Sequence, residues 1–435
     1  MQRHQDPRQL AQRLRAALVS PRVGLVHELA VRHGAVTPFG VHIATALPAR
    51  HARTASGATP DLCGGVAFDE DGASIAALME AVERYCLRHG ALRRACQGPA
   101  RDATYLYGQQ LGVFADWQYG DPRFPFVAQD RGQSLRWIRG RSLVDGGARH
   151  IPLAWVAVPF EPLHGGERLY CSNSSGTAAG RSARGALERA LFEVCERDAF
   201  MVMWHHRLAL PRLAIDVAAL TSARFARQIA ACPATLTFVN LTNNLQVPVA
   251  MCVLEAWRAG RRIRALGVAA AANIEFACRK ALLEGAGQLA GMIDLVPPAW
   301  RPAADFSNVT EFPCRSLLYN LPEMAHWFDF MTASAHLVAP AAVPALASGQ
   351  RGVLAALLGR LRPHAGDIVA VPLASPEIAA LGIHVVKAVV PGLASLYADH
   401  RYPHLGAARI WSAAAALGAS VQPPRLPHNC PHPLA

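Results

Sequence analysis

The sequence predicts an α+β fold in which mixed, mainly antiparallel sheets pack against long helices. Two observations point there. Apolar residues recur with helical spacing at Ile75, Leu78, Met79, Val82, Tyr85 and Cys86, at Leu187, Leu191, Val194, Cys195 and Val202, and over 274–293. Short apolar runs broken by Gly, Pro and Asp fall between these helices in groups. They do not alternate with them one for one, which disfavours a doubly wound parallel sheet.

Residues 1–60 read as an N-terminal extension. It holds a helix over about 9–18, an apolar stretch broken by Gly and Pro through Pro48, and an exposed loop over 54–61. Cys63-Gly64-Gly65-Val66-Ala67 reads as a glycine-containing turn before the first long helix. From about 100 to 172, the runs 124–128, 135–138 and 155–160 read as strands. The segment 172–180, Ser-Asn-Ser-Ser-Gly-Thr-Ala-Ala-Gly, is a small-residue loop that opens the second helix. Its glycines allow close backbone approach, its polar groups supply donors, and the helix N-terminus behind it favours an anion. Capping of that helix explains the same residues without a ligand. Strands follow at 235–240, 247–254 and 262–269. The third helix carries Glu284 and Gln288 one turn apart and ends at Pro297, Pro298 and Pro302. An irregular aromatic stretch spans 300–335. Helices at about 350–362 and 376–381 come next, then a strand at 383–390 closed by Pro391-Gly392. These belong to one domain, 61–435, whose last segment, from about 423, is proline-rich. That composition favours disordered or extended chain.

A chain of 435 residues suffices for one large domain or two medium ones. It has no run of 18 apolar residues and no apolar signal segment after Met1, so a cytoplasmic location is expected, with no membrane span. Ten cysteines are scattered singly, without Cys-x-x-Cys or zinc spacing, and are expected to be buried thiols. The net charge of +12 comes almost wholly from arginine; Lys280 and Lys387 are the only lysines. The arginines are dispersed, with no basic run and no interleaved aromatics, which argues against a nucleic-acid partner. They suit an anionic nucleotide or an acidic peptide. Walker A, Gly-x-Gly-x-x-Gly and Gly-x-Ser-x-Gly are absent, and no Ser-His-Asp or Cys-His order stands out. His205 and His206 trail the second helix as structural or supporting groups.

Against this charge-poor background one signature occurs twice. Glu80-Ala81-Val82-Glu83-Arg84 and Glu193-Val194-Cys195-Glu196-Arg197 both read Glu-x-x-Glu-Arg. At about 100° per residue, each set of acids and arginine shares the face opposite its apolar stripe. Either could be a solvated face with an i, i+4 Glu–Arg pair. Brought together in space, the four carboxylates would form a hard-cation site of the kind that holds magnesium against a triphosphate.

Several stretches together resemble the YcaO family: Met79-Glu80-Ala81-Val82-Glu83-Arg84-Tyr85, Ser172-Asn173 with Ala178-Ala179-Gly180, and Leu191-Phe192-Glu193-Val194-Cys195-Glu196-Arg197-Asp198-Ala199-Phe200. Glu284-x-x-x-Gln288 and Val385-Val386-Lys387-Ala388-Val389-Val390-Pro391-Gly392-Leu393 extend the resemblance over roughly residues 60–435. It implies a YcaO-type fold that forms an ATP site, and an enzyme that uses ATP and Mg2+ to activate peptide backbone amides. The implied magnesium carboxylates are Glu80, Glu83, Glu193 and Glu196, with Glu193, Glu196 and Arg197 catalytic. Arg84 and Arg197 would face the carboxylates and phosphates, Ser172 and Asn173 would contact the nucleotide, and Glu284 and Gln288 would line its site.

The implied substrate is a ribosomally made precursor peptide whose Cys, Ser or Thr closes to a thiazoline or (methyl)oxazoline. Three positions depart from the family pattern. Val66 stands where many members carry the lysine of Gly-Lys-Gly, Ala76 stands where serine is common, and Pro431-His432-Pro433-Leu434-Ala435 keeps two prolines of a Pro-x-Pro-x-Pro tail. The tail favours azoline formation over the family's thioamide branch, with the Ala435 carboxylate and His432 as candidates for proton transfer. Val66 and Ala76 motivate the alternative of a non-catalytic YcaO-like scaffold. Residues 1–60 are too short and too weakly patterned for a winged-helix leader-recognition module. A separate leader-binding protein, E1-like or ocin-ThiF-like, is therefore expected, with a flavin dehydrogenase as an optional later partner and a homodimer as a candidate assembly.

Overall fold

Antiparallel pairing between near neighbours in the chain dominates the sheets, as short β-runs grouped between helices require. The computed structural model describes residues 6–34, 38–49, 62–232, 234–258, 260–292, 300–346, 350–424 and 426–434. Among these the strands are β1 (Val26–Arg32), β2 (His42–Pro48), β3 (Cys63–Ala67), β4 (Ala95–Gly98), β5 (Leu135–Ser142), β6 (Ala148–Pro152) and β7 (Thr177–Gly180). They continue with β8 (Arg212–Leu213), β9 (Ala234–Asn240), β10 (Val249–Arg258), β11 (Arg261–Ala270), β12 (Leu337–Val338), β13 (Val369–Pro372) and β14 (His384–Val389). They form sheets ordered β1-β2-β3, β11-β10-β9-β8-β12 and β4-β5-β13-β14-β7, with β6 on β5. Only the β8–β12 pair is parallel.

Three long helices carry the acidic signatures. The first, Glu70–Tyr85, packs on β2, β3 and the N-terminal helix Pro7–Leu18. The second, Ala183–His205, packs on β7, β14 and β11. The third, Ile274–Met292, packs on β10, β11 and β3. Asp69 and Ser182 cap the first two, accepting the Gly72 amide at 2.7 Å and the Gly185 amide at 3.1 Å; each cap contributes about 1 kcal/mol. The second helix changes character along its length. Its residues from Asp198 to His205 are all buried, and Leu191 and Phe200 are fully so, each worth roughly 1.5–3 kcal/mol of apolar burial.

Several expectations need correction. Cys63–Ala67 is a strand, not a turn, and β1 and β2, inside the segment read as an extension, share its sheet. Gly65 makes the close fit possible: a Cβ there would stand 2.1 Å from the Ala73 carbonyl oxygen of the first helix. The runs 124–128 and 155–160 are not strands. The first is irregular chain whose Phe124 and Phe126 pack with Phe114 and Tyr402, so its apolarity reflects an aromatic cluster and not a ladder. The 172–180 loop ends in strand β7. Six of the cysteines are buried, whereas Cys96 and Cys171 are exposed; all ten are free thiols. The loop at 54–61, Pro297 and Pro298 lie outside the described residues.

The end of the proline-rich tail, residues 430–434, is buried against the core, whereas Pro423, Pro424 and Pro427 are exposed. Trp204 Nε1 donates to the Cys430 carbonyl at 3.1 Å, the Tyr319 hydroxyl donates to the Pro431 carbonyl, and Arg315 Nη1 donates to the His432 carbonyl at 3.2 Å. Leu434 is 0% exposed and joins the core formed by the second helix, β10, β11 and β14. Among the described residues no helix is long and apolar enough to cross a membrane.

Candidate nucleotide and metal site

The second helix is aimed by the chain just before it. Gly176 adopts φ +76°, and a Cβ there would meet the Ala388 carbonyl oxygen at 2.7 Å, so glycine is needed to bring β7 against β14. β7 then pairs antiparallel to β14, with Thr177 opposite Lys387 and Gly180 opposite His384. Ser182 starts the helix, and Glu193, Glu196 and Arg197 follow on one face.

Ala179 joins the first and second helices. Its amide donates to Glu83 Oε1 at 2.6 Å, and its carbonyl accepts from Arg189 Nη2 at 2.6 Å. Glu80 sits at the edge of this arrangement. Its Oε2 accepts the Gly64 amide at 2.6 Å and its Oε1 accepts from Arg84 Nη2 at 2.6 Å. Arg197 binds both acids of its own signature, with Nη2 3.6 Å from Glu193 and Nη1 3.4 Å from Glu196. Glu284, on the third helix, accepts the Val268 amide at 2.9 Å and acts electrostatically on Glu196 and Arg197.

The electrostatics tie these groups into one cluster. Burial pushes the Glu83 carboxyl up to about 8, opposed by the Ala179 amide and reinforced by Glu193 and Glu80. Burial lifts Glu193 to about 7, with Arg197 opposing and Glu196 adding to the rise. Glu196 is raised by burial and by Glu284, against Arg197. Glu284 is raised by burial too. Carboxyl groups crowded in this way favour either protons or a cation among them.

The other expected residues have contacts within the protein or lie at its edge. The Ser172 hydroxyl donates to the Ala157 carbonyl. Asn173 Nδ2 donates to Leu396 at 2.8 Å, while its Oδ1 accepts the Ser175 amide. Gln288 Oε1 accepts the Leu266 amide at 3.5 Å. Arg84 stays with Glu80 at the outer edge. Ala435 lies outside the described residues. The residues that sequence reading left without a role are Arg189, Lys280 and Lys387. Lys280 lies near enough to Glu196 and Glu284 to pull both downwards. The rarity of lysine in so basic a chain was the available signal.

The cluster fits a magnesium nucleotide on two counts. Its acids are raised towards protonation by burial, which a bound cation would offset, and Arg197 Nε is buried with no hydrogen-bond partner among the described residues, while Nη1 has only its ion-pair contact with Glu196. Among the described residues no three His, Cys, Asp or Glu side chains are placed to hold a metal ion alone. Magnesium usually takes one or two carboxylates and completes its shell with phosphate oxygens and water.

An acidic cluster between helices with a buried arginine beside it is chemistry suited to a nucleotide and its metal. Residues 64–394 match the model of the family described as the ATP- and Mg2+-binding YcaO cyclodehydratase. The chain belongs to the YcaO family, and its cofactors are ATP and Mg2+. Its fold is similar to that of a heterocyclase solved in complex with substrate and cofactor, with a TM-score of 0.75 and 20% identity, over 96% of this chain and 55% of that one. The YcaO protein of Methanopyrus kandleri, bound with AMPPCP and Mg2+, aligns with a TM-score of 0.65 and 20% identity, over 92% of this chain and 94% of that one. A chain of the microcin synthetase McbBCD complex of E. coli aligns with a TM-score of 0.59 and 12% identity, over 86% and 90%. A protein of Methanothermobacter thermautotrophicus without an assigned role is 27% identical over 146 residues, 33% of this chain and 34% of that protein. The chain thus spans about half of the first heterocyclase and a third of the archaeal relative.

Proposed function

We propose that this chain is the heterocyclising subunit of a peptide-modifying system. It uses ATP to activate backbone amides of a ribosomally made precursor, so that Cys, Ser or Thr closes to a thiazoline or (methyl)oxazoline ring. The observation that carries this reading is the meeting of Glu193, Glu196 and Glu284, from two helices, around Arg197, with Glu83 of a third helix acting on Glu193.

Glu80, Glu83, Glu193 and Glu196 would hold magnesium, which bridges and neutralises phosphate charge when bound. Glu193, Glu196 and Arg197 are the catalytic residues of this reading, and Arg197 supplies the N–H groups for a phosphate. The scaffold fixes these groups beforehand, so they need little reorganisation as charge develops. The side chains of Ser172 and Asn173 hold the loop, and any nucleotide contact there falls to its backbone. Glu284 and Gln288 fix the third helix against β11 at the site's edge.

The tail supports the ring-forming branch. His432 packs on Tyr397, Tyr397 on His404, and His404 lines the cavity that Arg197 also lines. The Ala435 carboxylate and His432 are its candidates for proton transfer. A leader-binding partner protein would present the precursor; the E. coli relative is a microcin synthetase complex. A flavin dehydrogenase would act afterwards if the rings are oxidised.

The test combines the chain, a leader-binding partner, ATP, Mg2+ and a Cys/Ser/Thr-rich precursor sought among the neighbouring genes. Each ring should remove 18 Da. Gain of sulfur in place of oxygen would move the chain to the thioamide branch. Glu193→Gln should abolish ring formation while the protein stays folded, and unchanged processing by that variant would leave a binding scaffold as the better reading.

A further inference from the structure

Lys387 is a buried cation that has no carboxylate of its own. It stands on β14 at 5% exposure. Its Nζ donates to the carbonyl oxygens of Asn173, at 2.7 Å, and Ser175, at 3.1 Å. An ammonium carries three N–H donors, so one is left, and it has no partner among the described residues. Glu193 influences this ammonium from beyond ion-pair distance. A desolvated charge is costly unless something compensates for it, and two neutral carbonyls do so only in part.

The spare donor has a space to serve. Lys387 lines a cavity together with Arg197, Asn173, Trp155, Tyr170 and His404. Arg197 is the ion-pair partner of Glu193 and Glu196, so this cavity meets the acidic cluster at Arg197 and Lys387. Gly112, Val113 and Trp155 also line a neighbouring cavity of about 220 Å³, walled by Phe114, Tyr119 and Val127. A peptide reaching the cluster through these spaces would meet Lys387.

Composition sharpens the point. The chain has 43 basic residues and only two are lysine, both beside the acidic cluster. Arginine presents a flat fork of five donors, whereas lysine presents a compact three-pronged charge. Two diverging carbonyls and a cavity call for the second shape.

The geometry points to Lys387 as the donor that holds the oxygen of the target amide beside the terminal phosphate of the nucleotide. This rests on the function proposed above. As a nucleophile adds to the amide carbon, negative charge builds on that oxygen. A preorganised ammonium stabilises the charged oxygen more than the neutral carbonyl, and so lowers the barrier. Lys387 keeps its proton throughout.

The experiment uses the full chain. Lys387→Met should lower kcat for ring formation by about 10²–10³-fold, the cost of losing one such donor. Affinity for AMPPCP with Mg2+ should stay within about threefold, since the contact is to the amide and not to the nucleotide. Lys387→Arg keeps charge in the wrong shape, and should keep the loop folded without restoring the rate. A second readout needs no turnover. With labelled lysine the protein gives two ammonium signals, assigned by Lys280→Arg. Acetyl-Gly-Cys-Gly-amide at millimolar concentration, added to protein loaded with AMPPCP and Mg2+, should shift the Lys387 signal. A Lys387→Met chain that forms rings at the normal rate overturns the proposal, as does a Lys387 signal that the peptide leaves in place. If the Met variant fails to fold, the wild-type spectrum decides. A wild-type chain that makes no rings overturns the broader function instead, and the spectrum still tests Lys387.

Discussion

In the proposed site, Glu83 and Glu193 would exchange a proton for a metal ion near neutral pH. Burial and neighbouring acids raise them to about 8 and about 7. A group raised on folding contributes stability that is complete below its unfolded value, near 4.5, and is lost as pH rises through its folded value. Above about pH 6.5, where the buried histidines described below no longer titrate, the nucleotide-free protein should therefore melt at falling temperatures as pH rises to about 8. Mg2+ with AMPPCP should remove that decline, bind more tightly at pH 8 than at pH 6, and release protons in calorimetry run in buffers of different ionisation enthalpy. A melting curve indifferent to both pH and Mg2+ would count against the cluster as a metal site. The paired Glu-x-x-Glu-Arg signatures made these acids legible in the sequence. Lys387 and Arg189 were not, because the placement of a single side chain against a distant carbonyl is set by tertiary packing and neither residue repeats in a pattern.

At the scale of single elements, the third helix explains a departure from the family pattern. Val66 of β3 packs into the apolar seam beneath that helix, where a Cβ on Gly287 would stand 2.4 Å from Val66 Cγ2. Valine at 66 and glycine at 287 are complementary in volume. Gly287→Ala should cost about 1–3 kcal/mol, the usual effect of overpacking. Adding Val66→Ala should recover part of that loss, and urea midpoints of both variants and the double variant measure the coupling. Full additivity would show that the two sites do not touch. Long helices and the 249–270 hairpin were readable because their periodicity runs for many residues. The strand at Cys63–Ala67 was not, since two of its five residues are glycines that signal turns locally and close packing only in context. The aromatic run at 124–128 looked like a strand for the converse reason, having strand composition without a strand partner.

For the molecule as a whole, the docked tail sets a second pH limit. Burial holds His205 and His404 down to about 3 and His400 to about 4, and His432 falls with them; Arg315 adds to the last three. Groups lowered on folding give stability that is complete above their unfolded value, near 6.5, and is lost as pH falls through their folded values. Below about pH 6 the protein should lose stability progressively, so the nucleotide-free form should be most stable around pH 6–7, between the two limits. His400→Gln and His404→Gln together should flatten the acid side of the melting profile. Leu434→Ala should cost about 2–5 kcal/mol by chemical denaturation, because this tail residue fills the main core. A negligible cost would mean that the tail only rests on the surface. Composition suggested loose chain here, and it could not reveal that Trp204, Tyr319 and Arg315 would accept the tail as part of the core.

Each acidic helix touches more than one sheet: the first β2, β3 and β7, the second β7, β14 and β11, the third β10, β11 and β3. Distances among Glu83, Glu193 and Glu284 therefore gauge how those sheets stand relative to one another. A protein that grips one sheet and tilts it by an ångström would respace the carboxylates without touching them, and displacements of that size can change rates about a hundredfold. In the proposed enzyme, catalytic output would be mechanically geared to the frame. An associated subunit could throttle ATP turnover from a remote surface, with the second helix as the lever arm.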